Sequence, residues 1–581
     1  MKKLLLPILL GILLVLPISA QIKWMNPLNQ GERTIHGRWW KNELKDNYHR
    51  MPDRAEKDVR KPVWDLSKNS AGLSIVFRSN SPEISIRYTT SGNRQMIHMP
   101  ATGVSGVDMY ATDQDGNQYW CAEQFNWAWG DTIKYTYKDI TYHTPSYEFH
   151  LYLPLYNTVT WMEIGVPQDK ELTFIPESLE KPIVVYGTSI AQGAVASRPG
   201  MAWTNIIERE TEHPVINLGF SGNGKLEESM FNYLSEIDAK LYIIDCLPNM
   251  TDISDRIYDR MMKGVDILRA KNNTPILLVE QNYCHWQSSQ KAKEDNDKTN
   301  NEFKRVYEDL QAKGIKDIYY LSREEFNFSY DSTVEGTHPT DLGMRQYANG
   351  YEKKLKEIFQ EDSEDRTVYK PCTQQRDFYN WKSRHNLMIQ RNRGNAPQIV
   401  LIGNSITHFW TDEDRQPEKI RKANQKSFEK LFKGKVVNNM GFGWDRIENG
   451  LWRIYHGELD GFDAEKVFLL LGTNNLGINS NEEIVSGMTQ LIHAVKQHQP
   501  KAKIYQVGIM PRRDNEERVD TINKMIKEKL RDTDVTYVDM TPGFVDANGK
   551  LIESMFRGDG LHPNATGYEN EAKNLTPYVK E

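Results

Sequence analysis

Cysteine is scarce in this sequence: four in 581 residues, Cys121, Cys246, Cys284 and Cys372. No two lie close together and no paired histidines accompany them, which excludes the usual zinc-ligand spacings. An even number permits disulfides without requiring them. Cys246 and Cys284 sit on or beside apolar strands and read as packing residues rather than nucleophiles. No metal, redox role or other cofactor is expected. A surplus of charge is also lacking. The net charge of −6 at pH 7 gives no basic surface for nucleic acid. Beyond the first twenty residues no apolar run is long enough to span a bilayer, so no integral membrane segment is expected in the mature chain.

Aromatic residues are plentiful, with 14 Trp and 28 Tyr, and the 39% hydrophobic and 26% charged residues are those of a globular protein. At about 150 residues per unit the length calls for three or four units. Residues 1–20 read as a signal peptide: Lys2 and Lys3, an apolar run from Leu4 to Ile18 broken by proline, then Ser19 and Ala20. Their order predicts a secreted or periplasmic protein.

Residues 21–178 alternate short apolar stretches with Gly, Asn, Asp and Pro, and predict a β-sandwich. The run Asp113–Gln114–Asp115–Gly116–Asn117 resembles the start of a calcium loop but lacks its distal Glu, and reads as a hairpin turn. From 179 to 360 strands alternate with helical stretches, the rhythm of a parallel sheet with helices on both faces. Residues 361–375 are polar and read as a linker, and residues 376–581 repeat the α/β rhythm. The fold class expected is therefore α/β: two units of similar order preceded by a β-sandwich.

Each α/β unit opens with a serine after its first strand, in Gly187–Thr188–Ser189–Ile190 and Gly403–Asn404–Ser405–Ile406. Ligands bind at that edge of an open sheet. Taken singly, each serine reads first as a helix cap. Each unit also closes with a carboxylate three residues before a histidine, in Glu335–Gly336–Thr337–His338 and Asp559–Gly560–Leu561–His562. Such a carboxylate can hold the Nδ1 hydrogen and leave Nε2 as a base for a serine hydroxyl. A serine first and an acid–histidine pair last, in both units, point to catalysis. Between them lie Gly-rich turns at 219–223 and 441–445, then Pro248–Asn249 and Gly472–Thr473–Asn474–Asn475. Backbone N–H groups and an Asn amide are the donors an acyl-transfer oxyanion needs. Gly219 to Lys225 also spells G-x-x-x-x-G-K, but Leu226 follows where a phosphate loop needs Ser or Thr.

The order Ser, Gly, Asn, His in four blocks resembles the SGNH (GDSL-type) hydrolases. The second unit is similar to the platelet-activating-factor acetylhydrolase branch through Gly403–Asn404–Ser405, Trp452–Arg453, Gly457–Glu458–Leu459, the Asn474 block and Asp559–His562. The first resembles a bacterial branch that carries a Gly-x-Asp-Leu-Tyr N-terminal region, here Gly106–Val107–Asp108–Met109–Tyr110. The resemblance implies flavodoxin-like SGNH units. It implies Ser189 and Ser405 as nucleophiles, His338 and His562 as bases, Glu335 and Asp559 as their acids, and Gly222, Asn249, Trp444 and Asn474 at the oxyanion. Three departures stand out. Glu335 replaces the usual Asp, leaving Asp331 as an alternative acid. Trp444 replaces a Gly, which keeps the N–H but puts the turn geometry in question. Cys246 and Met250 replace the usual Gly and Asp around Asn249. The expected function is an exported serine esterase removing acetyl or other small acyl groups from an acetylated oligo- or polysaccharide. The alternatives are a lipid or lysophospholipid esterase, or a glycan-binding protein with one inactive unit. Trp410, five residues after Ser405, is a candidate sugar platform or a core residue.

Overall fold

Ile133, Tyr135 and Tyr137 are buried while Lys134 and Lys138 are exposed, the period-two pattern of a strand with one face on a core. A computed structural model describes residues 21–112, 118–122, 130–140, 147–177, 180–282, 289–359, 379, 381–411 and 418–580. The leader, the turn at 113–117, the linker at 361–375, Cys284 and Cys372 lie outside the described residues. Two antiparallel sheets build the N-terminal region. One runs Ile22–Met25, Val159–Pro167, Glu83–Thr90, Ile133–Lys138; the other runs Thr173–Ile175, Ser74–Ser79, Tyr147–Tyr152, Asp108–Thr112, Gln118–Cys121. Their inner faces share a core of residues such as Ile75, Phe77, Ile84, Ile86, Phe149 and Ile164, as expected of face-to-face sheets.

Part of this region belongs to a different core. Trp40, Leu44, Met51, Val63 and Trp64 pack with Val184, Leu218, Phe231 and Tyr242 of the following α/β unit. A parallel sheet must be covered on both faces, and this short helical stretch supplies part of that cover.

The first α/β unit has five parallel strands, β1 (Ile183–Gly187), β2 (Val215–Gly219), β3 (Leu241–Asp245), β4 (Ile276–Val279) and β5 (Ile318–Leu321), in the order β2-β1-β3-β4-β5. The second repeats it with β6 (Ile399–Gly403), β7 (Val437–Gly441), β8 (Lys466–Leu470), β9 (Lys503–Val507) and β10 (Thr536–Val538), in the order β7-β6-β8-β9-β10. This is the flavodoxin-like order, in which the chain reverses direction across the sheet beside the first strand and opens a crevice at the carboxyl ends there. Strands β1 and β6 are buried throughout. Their registers match as well: Gly187 lies beside Gly219 and Gly403 beside Gly441. Among the described residues no helix is long and apolar enough to cross a membrane.

Candidate active sites

Helices α1 (Ser189–Gln192) and α2 (Ser405–Thr411) start directly after β1 and β6. Their caps come from the residue before each serine: the Ile190 N–H donates to Thr188 Oγ1 at 3.3 Å, and the Ile406 N–H donates to Asn404 Oδ1 at 2.9 Å. The serine hydroxyls are thereby released from capping. Glycine on the neighbouring strand lets each helix settle onto the sheet. A Cβ at Gly219 would lie 2.4 Å from the Gln192 nitrogen, and one at Gly441 would lie 2.2 Å from the His408 nitrogen.

Each serine meets the histidine from the far end of its unit. Ser189 Oγ is 2.9 Å from His338 Nε2, and His338 Nδ1 is 2.6 Å from Glu335 Oε1. Ser405 Oγ is 2.9 Å from His562 Nε2, and His562 Nδ1 is 2.7 Å from Asp559 Oδ2. The two chains of contacts are 149 and 157 residues apart in sequence at their Ser–His step. In both, the carboxylate also accepts the histidine's own backbone N–H, at 2.9 Å for Glu335 and 3.0 Å for Asp559. The extra methylene of Glu335 is thus absorbed by the loop. His338 faces Glu335 rather than Asp331, whose backbone carbonyl accepts from Thr340 Oγ1 at 3.0 Å.

Burial pushes the His562 imidazolium below the ordinary 6.5, and its contact with Asp559 offsets only part of that. Burial alone would raise the Asp559 carboxyl, but hydrogen bonds from the His562 ring and from the His562 and Leu561 N–H groups hold it below its usual value.

Gly222 and Trp444 occupy matching turns, each with φ of +68°. The tryptophan therefore keeps the left-handed turn geometry of the glycine it replaces. Asn249 Oδ1 accepts the Gly224 N–H at 3.1 Å, which leaves its amide nitrogen as donor. Asn474 Nδ2 donates to the Asp445 carbonyl at 2.9 Å and retains a second hydrogen. Cys246 and Met250, which flank Asn249, are fully buried in the core of the unit. Cys121 and Cys246 are buried free thiols.

The Trp452–Arg453 and Gly457–Glu458–Leu459 motifs turn out to support the second site, and Trp381, Arg384, His408 and Arg50, which no motif marks, join them. Beneath the Trp444 turn lies a buried ionic triad: Arg453 Nε is 3.0 Å from Asp445 Oδ2 and Arg453 Nη1 is 2.8 Å from Glu458 Oε2. Trp381 Nε1 donates to Asp445 Oδ1 at 2.7 Å, and the Gly443 N–H donates to His408 Nδ1 at 3.1 Å. Arg384 donates to the Gly441 carbonyl at 2.9 Å and lies over Phe442, 5.1 Å from the ring centre. In the first unit the same backing comes from the N-terminal region. Arg50 donates to the Gly219 carbonyl at 2.8 Å and lies 5.0 Å from the Phe220 ring centre.

The N-terminal region reaches the first site in other ways. Tyr156 Oη donates to the Ser189 carbonyl at 3.2 Å, and the His98 ring lies 6.0 Å from the His338 ring. Asp108 of the Gly106–Tyr110 motif accepts from the Gly200 N–H at 2.9 Å, from Arg198 at 2.5 Å and from Trp120 Nε1 at 2.7 Å. The motif is a clamp on the loop after α1. Trp410 settles as a core residue: it is fully buried, stacks on Tyr568 at 5.6 Å and donates to Ser427.

Known proteins match all three regions. Residues 180–356 and 401–569 each match the GDSL-like Lipase/Acylhydrolase family, and residues 22–172 match the "N-terminus of Esterase_SGNH_hydro-type". A protein described as a GDSL-like lipase from Bacteroides ovatus is similar at 32% identity and TM-score 0.54, with 58% of this chain and 98% of that chain covered. Platelet-activating factor acetylhydrolase IB subunit alpha2 from Homo sapiens is 26% identical over 207 residues, 35% of this chain and 84% of that protein. The alpha1 subunit from Homo sapiens is 27% identical over 194 residues, 32% of this chain and 78% of that protein.

Proposed function

Because the chain belongs to the GDSL-like lipase/acylhydrolase family and is accordingly an ester-hydrolysing enzyme, we propose that it works through two separate serine sites on acetylated complex carbohydrate. The observation that carries this reading is the repeated contact chain, Ser189–His338–Glu335 and Ser405–His562–Asp559, with Ser–His distances of 2.9 Å in both.

Each site would run the same two steps. The serine Oγ attacks the ester carbonyl as its proton passes to Nε2 of the histidine. The carboxylate holds the imidazole by Nδ1 and stabilises its charged form. The carbonyl oxygen becomes an oxyanion, received by the serine N–H, by the N–H of Gly222 or Trp444, and by the Asn249 or Asn474 amide. The tetrahedral centre collapses to an acyl-serine as the alcohol departs with the proton from Nε2. Water then attacks the acyl-serine, giving its proton to Nε2, and the acid is released with the serine restored.

Acetylated glycan is the substrate class proposed from the aromatic content, the leader-like N-terminus and the family resemblance. The Lys2–Lys3 start and apolar run place the reaction outside the cytoplasm in this reading. An ester with a larger apolar part is a second reading for the Ser189 site. Met96 and Ile97 are solvent-exposed beside His98, which neighbours the His338 ring. Comparing kcat/KM on an acetylated xylo-oligosaccharide with that on a long-chain lysophospholipid separates the two. In the Ser405→Ala protein, where only the Ser189 site remains, a preference of at least about tenfold for the acetyl glycan is expected; the reverse preference would replace the glycan reading of that site with the lipid one.

The pH profile supplies another test. In a Ser189→Ala protein only the Ser405 site remains, and kcat/KM follows the free enzyme's base. The base acts when neutral, so a His562 pKa lowered by burial keeps the site working below pH 6.5. The acid limb should have its midpoint below 6.5. A midpoint at or above that value contradicts the burial argument.

A further inference from the structure

Trp444 is held in a conformation that glycine adopts more readily, and the residue is 60% exposed. A bulky residue with φ of +68° is a backbone outlier, a conformation that persists only where its surroundings compel it. In the first unit Gly222 carries the same +68° without a side chain, and a Cβ placed there meets nothing within 4 Å. The side chain therefore leaves the turn towards open space.

The turn is fixed on both sides of the tryptophan. Gly443 is tied to His408, one helical turn beyond Ser405, and its carbonyl accepts from Tyr379 Oη at 3.0 Å. Asp445 is held by Trp381, Arg453 and Asn474. A large apolar side chain is thus carried into solvent by a turn whose backbone is fixed at both flanking residues, the turn whose N–H the esterase reading assigns to the oxyanion. Core packing explains none of this, because the indole is not in the core.

We propose that Trp444 is a specificity-determining platform of the Ser405 site, its indole face receiving the C–H face of a pyranose ring in the alcohol part of the ester. An indole face is neutral and flat, presents no acceptor to hydroxyls and suits the apolar side of a sugar ring. Fixing the backbone that carries it reduces the ordering cost on binding. The two oxyanion turns differ at three positions, Ser221/Gly443, Gly222/Trp444 and Asn223/Asp445, and the second of these would set the preference: the Ser405 site selects ring-bearing esters, and the Ser189 site, with Gly222, does not. The inference rests on the esterase reading of the Ser405 site for its kinetic test but not for its binding test.

Two measurements on the full-length protein test it. In the Ser189→Ala background, kcat/KM is compared for an acetylated methyl xyloside and for an open-chain acetyl ester. Trp444→Gly should lower the ratio of the two about tenfold, mostly through KM for the xyloside, and Trp444→Phe should restore much of it. An unchanged ratio overturns the proposal. In the Ser189→Ala/Ser405→Ala protein, binding of xylotetraose is followed by calorimetry. Trp444→Gly should weaken it about tenfold. Undiminished binding, or no binding with Trp444 present, overturns the platform; preference for a quaternary ammonium ester replaces it with a cation–π site. Loss of binding on Trp444→Gly, together with no hydrolysis of either acetyl ester by the Ser189→Ala protein with Ser405 intact, sustains the platform and sinks the esterase reading instead.

Discussion

Ester hydrolysis should fall by more than about 10⁴-fold when Ser189 and Ser405 are both replaced by alanine, because each removal takes away the nucleophile and the histidine has nothing left to activate. The single variants are expected to divide the activity. Ser189→Ala should lose the substrates taken by the first site and Ser405→Ala those taken by the second, with additive rates on any ester used by both. Among the described residues each serine bonds to the histidine and acid of its own α/β unit, and distant independent changes add. Initial rates on a generic acetyl ester and on acetylated oligosaccharides decide the matter. Full activity in the double variant would exclude the serine mechanism. A single variant equal to wild type on every substrate would mark that site as silent.

Replacing Arg453 by methionine should be the most damaging change outside the reacting groups. Arg453, Asp445 and Glu458 are essentially without solvent exposure, so the substitution leaves two carboxylates buried without their cation. Although burial raises the Glu458 carboxyl, the Arg453 charge holds it below its normal value, with His385 adding to the effect. Breaking such a group costs about 3–5 kcal/mol, whereas replacing every member by neutral groups can cost little. The expected result is a clear fall in thermal midpoint and loss of the Ser405-specific rate, because Asp445 anchors the Trp444 turn. The Ser189-specific rate should remain. Adding Asp445→Asn and Glu458→Gln to Arg453→Met should recover much of the stability. No recovery would mean that lost packing over Phe442, 4.0 Å from the guanidinium, outweighs the unpaired charge.

The residues proposed to react are legible in the sequence because local geometry writes them in short motifs. A serine after a buried strand and an acid three residues before a histidine are patterns within one turn of chain. The parallel sheets were legible for a similar reason: strands buried on both faces are continuous apolar runs, as in Ile183–Gly187 and Ile399–Gly403. The supports outside such motifs were not legible. Arg50 reaches Gly219 across 169 residues and Arg384 reaches Gly441 across 57, and neither arginine sits in a motif. Tyr156 and His98 arrive at the first site from the β-rich region, which sequence texture separates from it. Residues 40–64 carry no mark of belonging to the neighbouring unit's core, because an apolar side chain does not specify its partner. Trp410 and Trp444 show the limit most clearly. Proximity to Ser405 leaves Trp410 open as a sugar platform or a core residue, and only its burial against Tyr568 decides for the core; the turn conformation that exposes Trp444 is a backbone property no composition reveals.

The central claim is that one chain carries two activated serines. Intact-mass measurement after saturation with a fluorophosphonate counts them directly, since only a serine activated by its base is modified readily. The account predicts two adducts on the wild-type protein, one on Ser189→Ala, one on Ser405→Ala and none on the double variant. A single adduct on the wild type, or any adduct persisting on the double variant, would contradict it.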